Sequence, residues 1–265
     1  MDGSRYSALR VDTADRITTI TIDRPEARNA INAALHDEFS QIWSDIGADD
    51  ATDLVILQGV PGAFCAGGDL KWLQSVAGDP VKIARGQRRD RRITDDMLSL
   101  EKPIIAKVDG PAVGLGCSLA LMCDFVYATE RSIFSDPHVS VGLVAGDGGA
   151  LLWPQLIGYA RARRYLLTGD AIPAADAAQM GLITQCVADG DELDAVVDAM
   201  ARRMLDGATY AIQFTKASIN AGLRQVANAV VDRAAAYEGV TLMTEDFRSA
   251  LEAFSTKQTP KFTGR

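Results

Sequence analysis

The stretch from Asp109 to Gly149 constrains this chain more than any other. It reads DGPAVGLGCSLALMCDFVYATERSIFSDPHVSVGLVAGDGG and carries two glycine-rich turns, few other polar groups and one of the chain's two histidines. Gly114-Leu115-Gly116 leads straight into the apolar run Cys117 to Met122, a pattern that predicts a buried helix opened by a glycine turn. Such a turn leaves backbone N–H groups free at the positive end of the helix, where they can hold an anion or a developing oxyanion. His138 and Asp147 bracket the second glycine-rich segment. The first turn is expected to stabilise negative charge, and the second segment to supply proton chemistry.

The chain has 265 residues, enough for one sizeable core or for a main domain with a smaller appendage. Its 48% apolar and 23% charged content are ordinary globular values, which excludes wholesale disorder. A net charge of −8 argues against nucleic acid or an anionic membrane as the main partner. Cys65, Cys117, Cys123 and Cys186 show no CxxC spacing and no metal pattern, so they are expected to be reduced, mostly buried thiols. The N-terminal segment MDGSRYSALRVDTADR has no apolar targeting region, and Gly110 to Cys123 is too short and glycine-rich to span a bilayer. The expectation is a cytoplasmic protein without a membrane segment or a metal.

Leu9 to Asp23 alternates like a hairpin turning at Ala14-Asp15. Asn32 can cap a helix through about Gly47, and Leu54 to Leu57 and Pro103 to Val108 suit strands buried on both faces. FCAGGDLKWL passes through a glycine turn into a short helix. Gly78 to Leu100, rich in arginine, suits a solvated mobile helix, with a wall of a substrate pocket as the alternative. Short strands follow at Phe125 to Ala128 and Ser132 to Phe134. Helices are expected at Leu151 to Ile157, Ala160 to Leu167 and Ala174 to Met180, then a strand at Thr184 to Val187. Three long helical segments, Leu193 to Leu205, Ala208 to Ala221 and Val226 to Phe254, are separated by Gly207 and Gly222. The fold class is α/β, with strand–helix units over residues 1–192 and a helical region over 193–265.

RPEARNAIN, FCAGGDL, AKVDGPAVGLGCSLALMCDFVYA and FSDPHVSVGLVAGDGG occur in one order along the chain. Together they resemble the crotonase (enoyl-CoA hydratase/isomerase) superfamily over essentially the whole length, and the terminal AFSTKQTPKFTGR resembles that family's usual ending. The resemblance implies a spiral of ββα units, a C-terminal helical trimerisation region, and homotrimers or dimers of trimers. It also implies an acyl-CoA thioester whose carbonyl sits between two backbone amides, here those of Gly68 and Leu115. Coenzyme A then enters as part of the substrate, with no separate cofactor. Two fixed N–H donors stabilise an enolate or tetrahedral oxyanion as its charge develops, each contributing about 3–4 kcal/mol to the transition state. Arg28, Ala66 and Lys71 match positions that contact CoA in the family, and Lys257 and Lys261 could reach its phosphates.

The chain departs from the family at the residues that move protons. The two hydratase glutamates would stand at Ser118 and His138, and neither carboxylate is there. Serine without an activator is no general base, so Ser118 is expected to hydrogen-bond a ligand or water. His138 suits acid–base work near neutrality, and Asp147 could orient its ring and stabilise its protonated form. This His/Asp spacing resembles the β-diketone (oxocamphor) hydrolase branch, which cleaves a C–C bond through an enolate. That branch's further pocket histidine would fall near Leu115 and is missing, while its C-terminal glutamate could correspond to Glu238. His36 fits the pattern of the first helix and is expected to be structural, whereas Trp72 and Met97-Leu98 could line the acyl site or pack in the core. Three readings follow: an acyl-CoA enzyme using His138/Asp147, a CoA-independent β-diketone hydrolase, and a catalytically silent or RNA-binding family member.

Overall fold

The computed structural model describes residues 3–256 and 258–265. Its first hairpin pairs β1 (Leu9–Ala14) with β2 (Ile17–Ile22). The turn falls at Asp15-Arg16, one residue beyond the expected position, and both residues are left-handed, at φ 50° and 67°. A two-residue turn of that hand matches the twist of the flanking strands. Helix α1 (Ala33–Gly47) starts where its cap predicts, with the Asn32 side chain accepting the Leu35 N–H at 2.9 Å. Its apolar stripe buries Leu35, Phe39, Ile42, Trp43 and Ile46. β3 (Leu54–Gly59) follows, then α2 (Leu70–Val76), α3 (Pro80–Ser99) and β4 (Ile104–Val108).

β5 (Ala112–Val113) leads into α4 (Leu115–Leu121), every residue of which is buried. After it come β6 (Phe125–Thr129), β7 (Ile133–Ser135) and α5 (Gly149–Thr168), the last interrupted by left-handed Gly158 as its two expected halves imply. β8 (Ile172–Pro173), α6 (Ala174–Gln179), β9 (Gln185–Val187), α7 (Gly190–Leu205), α8 (Thr209–Thr241) and α9 (Glu245–Ser255) complete the chain. A six-stranded sheet runs β1-β2-β3-β4-β6-β9, parallel from β2 onward. A smaller sheet, β5-β7-β8, stands beside it. The continuous apolar runs of β3 and β4 are covered on both faces, as parallel strands require.

Two expectations need correction. α3 is no free solvated helix: it buries Ile83, Ile93, Thr94, Met97 and Leu98, and its other side forms a cavity wall. Its arginines disguise the apolar stripe because they fall in sequence between Ile83 and Ile93, two of its buried positions. Gly222 does not interrupt α8, which is continuous over 33 residues. A single interior glycine costs about 1 kcal/mol relative to alanine, and packing along a long helix absorbs that. The break falls instead after Thr241, where the Thr244 side chain caps α9 by accepting the Phe247 N–H.

α8 is tied to the sheet through a buried charge. Lys216 Nζ lies 2.7 Å from Asp124 Oδ2 and donates to the Lys102 carbonyl at 2.8 Å. Among the described residues, no helix is long and apolar enough to cross a membrane.

Candidate active site

Two glycine turns are held side by side by backbone pairing. Cys65 N–H donates to Pro111 O and Val113 N–H donates to Cys65 O, each at 2.9 Å. Gly67 O accepts from Ile31 N–H at 2.7 Å, which turns the following peptide the other way. As a result the Gly68 and Leu115 N–H groups donate to no acceptor among the described residues. Both residues line a cavity of about 520 Å3. Gly114 supports this with φ 53° and ψ −127°, a backbone open only to glycine. Two unpaired, fixed donors at one cavity wall are the parts of an oxyanion hole.

The pairing of β5 with β7 carries the second half of the site to the first. Gly114 N–H donates to Ser135 O at 2.9 Å, and the chain then runs through Asp136 and Pro137 to His138. A Cβ built on Gly114 would stand 3.5 Å from His138 Cε1. His138 Nδ1 lies 2.5 Å from Asp136 Oδ1, whose carboxylate is buried. On the opposite side, His138 Nε2 lies 3.3 Å from Asp147 Oδ2 and 3.9 Å from Glu238 Oε1. The carboxylate seated tightly against the ring is therefore Asp136; Asp147, the expected partner, faces the other nitrogen.

The glycine-rich loop before α5 clears space around this cluster. A Cβ on Gly146 would overlap the Glu238 side chain at 2.3 Å, and one on Gly149 would overlap Asp136 Oδ2 at 1.9 Å. On Gly148 it would sit 2.9 Å from the Ser118 side chain. Ser118 is thereby corrected as a ligand contact: it is buried, does not line the cavity, and donates its hydroxyl to Asp147 Oδ1 at 3.1 Å. It positions Asp147.

The electrostatics follow from four closely packed groups, Asp136 and Asp147 buried and His138 and Glu238 nearly so. Burial opposes charge on His138, but Asp136 and Asp147 outweigh it and hold the imidazole well above its ordinary value. Burial pushes Glu238 well up, against the pull of His138 and with help from the neighbouring carboxylates. Burial also raises Asp147, again against His138. The arrangement favours an imidazolium at His138 and makes Glu238 and Asp147 hold protons more readily than exposed carboxylates do. One ligand atom from each of Asp136, His138 and Asp147 falls within 4.8 Å of the others. Because the two aspartates bracket opposite ring nitrogens, the pattern is that of a charged imidazole rather than donors converging on one ion.

The remaining candidates are spread unevenly. Ala66 lines the cavity, and its N–H donates to Arg28 O at 3.1 Å. Arg28 itself is exposed and left-handed at φ 51°. Lys71 and Lys261 are exposed and do not line the cavity, and Lys257 lies outside the described residues. Trp72 is on the cavity wall, whereas Met97 and Leu98 are core. His36 is buried as expected of a structural residue, yet it also lines the cavity, with Nε2 2.5 Å from Asp90 Oδ1 and its ring 4.9 Å from that of Trp72. Asp90 and Asp136 escaped sequence reasoning. For Asp136 a signal existed, since a carboxylate two residues before His138 across Pro137 can reach back to the ring.

The chain is similar to known proteins over nearly its whole length. The enoyl-CoA hydratase/isomerase family model matches residues 12–265. A probable enoyl-CoA hydratase of Rhizobium meliloti is 32% identical over 264 residues, covering 98% of this chain and 99% of that protein. A crotonyl-CoA hydratase of Syntrophomonas wolfei is 31% identical over 98% of this chain and 99% of its own length. A crystal structure of an enoyl-CoA hydratase/isomerase from Mycobacterium paratuberculosis superposes with a TM-score of 0.89 at 36% identity, covering 92% of this chain and 97% of that one. By sequence and by fold, this chain belongs to the enoyl-CoA hydratase/isomerase family of the crotonase superfamily.

Proposed function

We propose that this protein cleaves a β-ketoacyl-CoA thioester hydrolytically, with a His138-centred cluster in place of the two hydratase glutamates. The observation that carries the reading is the position of His138: Nδ1 is seated on Asp136 at 2.5 Å and Nε2 is turned toward Asp147 and Glu238. Addition of water to an enoyl-CoA by two ionisable glutamates has no counterpart here. Hydrolytic cleavage instead needs a base for water, an acid for the departing carbon and a hole for the enolate. Asp147, Glu238 with His138, and the Gly68 and Leu115 amides fit those three roles.

In this mechanism Asp147, made more basic by burial, takes a proton from water. The hydroxide adds to the β-keto carbon, and the bond between that carbon and the α-carbon breaks. Its electron pair moves into the thioester as an enolate, whose oxygen is held by the Gly68 and Leu115 N–H groups. His138 Nε2–H, its imidazolium favoured by the neighbouring aspartates, delivers a proton to the α-carbon. The water-derived proton on Asp147 passes to His138 Nε2, 3.3 Å away, and restores the donor. The products are a carboxylic acid and a shortened acyl-CoA. Members acting on acyl-CoA and assembling as trimers set the expectation for substrate and assembly. A panel of enoyl-CoAs, β-ketoacyl-CoAs and cyclic β-diketones tests the reading. Turnover of β-ketoacyl-CoAs with release of the acid is expected. Turnover of the diketones alone, with no stabilisation of the fold by CoA or acetyl-CoA, would favour the CoA-independent reaction and overturn the thioester reading.

A further inference from the structure

Beyond the cavity that holds the catalytic cluster lies a second one, of about 310 Å3, in the groove between α1 and α3. Arg85, Arg88, Arg89 and Arg92 line it, with Asp37 and Gln41 on the facing helix. Four guanidinium groups against one carboxylate leave it strongly positive in a chain whose net charge is −8. Arg89 pairs with Asp37 at 2.7 Å and Arg92 with Asp96 at 3.3 Å. Arg85 and Arg88 have no carboxylate partner among the described residues. Positions 85, 88, 89 and 92 of one helix share a face, so these charges are held together against their mutual repulsion.

The two cavities share a wall. Arg85 and Arg89 line both, and Gly86, on the wall of the larger one, separates the first arginine from the other three in sequence. A Cβ added to Gly86 would meet nothing within 4 Å, and its backbone needs no glycine. Glycine in a helix interior weakens the helix relative to alanine, so local backbone geometry does not explain this residue. It leaves open space on the wall of the larger cavity beside Arg85, one of the two arginines that line both cavities.

We infer that the arginine groove binds an anionic group carried at the far end of the acyl chain, so that the preferred substrate is the mono-CoA thioester of a dicarboxylic acid. The inference rests on the acyl-CoA reading proposed above. The thioester carbonyl is fixed at Gly68 and Leu115, and an acyl chain crossing the apolar cavity toward α3 brings its terminus to Arg85 and Arg89. Guanidinium groups bind carboxylate through paired N–H donors and stay charged at every working pH. The acidic cluster around His138 repels a carboxylate stopped short of the groove, which adds to the selection for one that reaches it.

Calorimetric binding of three probes to the intact protein and to the Arg85→Met/Arg88→Met variant tests this. The probes are CoA, a methyl-ended acyl-CoA, and the carboxyl-ended acyl-CoA of the same chain length. The wild type is expected to bind the carboxyl-ended thioester about tenfold more tightly than the methyl-ended one, and the variant to lose that preference. Equal binding of the two thioesters by the wild type would overturn the inference. A variant that weakens all three probes alike would also overturn it, by assigning the groove to the CoA phosphates. If none of the probes binds, the acyl-CoA reading falls first and the inference with it.

Discussion

His138 Nδ1 lies 2.5 Å from Asp136 Oδ1, and the two residues are separated in sequence only by Pro137. Proline fixes the backbone between them, and the β5–β7 pairing fixes both against the Gly114 turn. A buried carboxylate on one ring nitrogen sets the tautomer, orients the ring and stabilises the charged form.

Replacing that carboxylate with its neutral isostere isolates the effect. Asp136→Asn is expected to lower kcat by at least about 100-fold while leaving KM within a few fold. Asp136 is one of the two charges that hold His138 protonated, so the alkaline limb of the pH–rate profile should move to lower pH in the variant. Steady-state kinetics across pH check both. An unmoved limb would remove Asp136 from the mechanism.

Protonation in the cluster also reaches stability. Glu238 and His138 both bind protons more tightly in the fold than in the unfolded chain, whose values are near 4.5 and 6.5. Each therefore contributes stability that is complete below its unfolded value and lost as pH rises through its folded value. Glu238→Gln removes the first of these losses. The melting temperature of the variant relative to wild type is expected to climb as pH rises above about 4.5, and thermal denaturation over a pH series measures it. A constant difference would contradict the upward shift of Glu238.

Gly116 holds α4 against the first turn. A Cβ there would lie 2.5 Å from Cys65 Cβ and 2.6 Å from its Sγ, with no room on either side. Gly116→Ala is expected to destabilise the fold by about 1–3 kcal/mol, read by urea denaturation, and to reduce turnover by displacing the Leu115 N–H.

Lys216 gives a stability test remote from the chemistry. Lys216→Met leaves Asp124, already pushed upward by burial, without its cation. Removing one partner of a buried pair should cost about 3 kcal/mol by denaturant titration, with the kinetics of the folded fraction retained.

Elements set by neighbours in sequence were readable from sequence. Asn32 capping α1, the hairpin at β1–β2 and the apolar runs of β3 and β4 depend on local preference and period, and all stand within a residue or two of expectation. The Gly114 turn opening a buried helix was equally legible, because the glycine spacing and the following apolar run mark it. What escaped reading depends on contacts distant in the chain. The arginines interspersed along α3 hid its buried face, and packing carried α8 through Gly222. Glu238 was named only through the hydrolase resemblance; that it reaches His138 across 100 residues, with Gly146 making way for it, only the fold shows. The ring of His138 could have turned either nitrogen toward Asp147, and Asp136 decided which.

The central claim is that His138 moves the protons while Gly68 and Leu115 hold the enolate. Release of carboxylic acid from a β-ketoacyl-CoA by wild type and by His138→Ala tests it most directly, with circular dichroism showing that the variant folds. The account predicts that the folded variant loses turnover by at least about 1000-fold, and that crotonyl-CoA hydration by the wild type stays far below β-ketoacyl cleavage. A folded His138→Ala protein that still cleaves the thioester at the wild-type rate would contradict it.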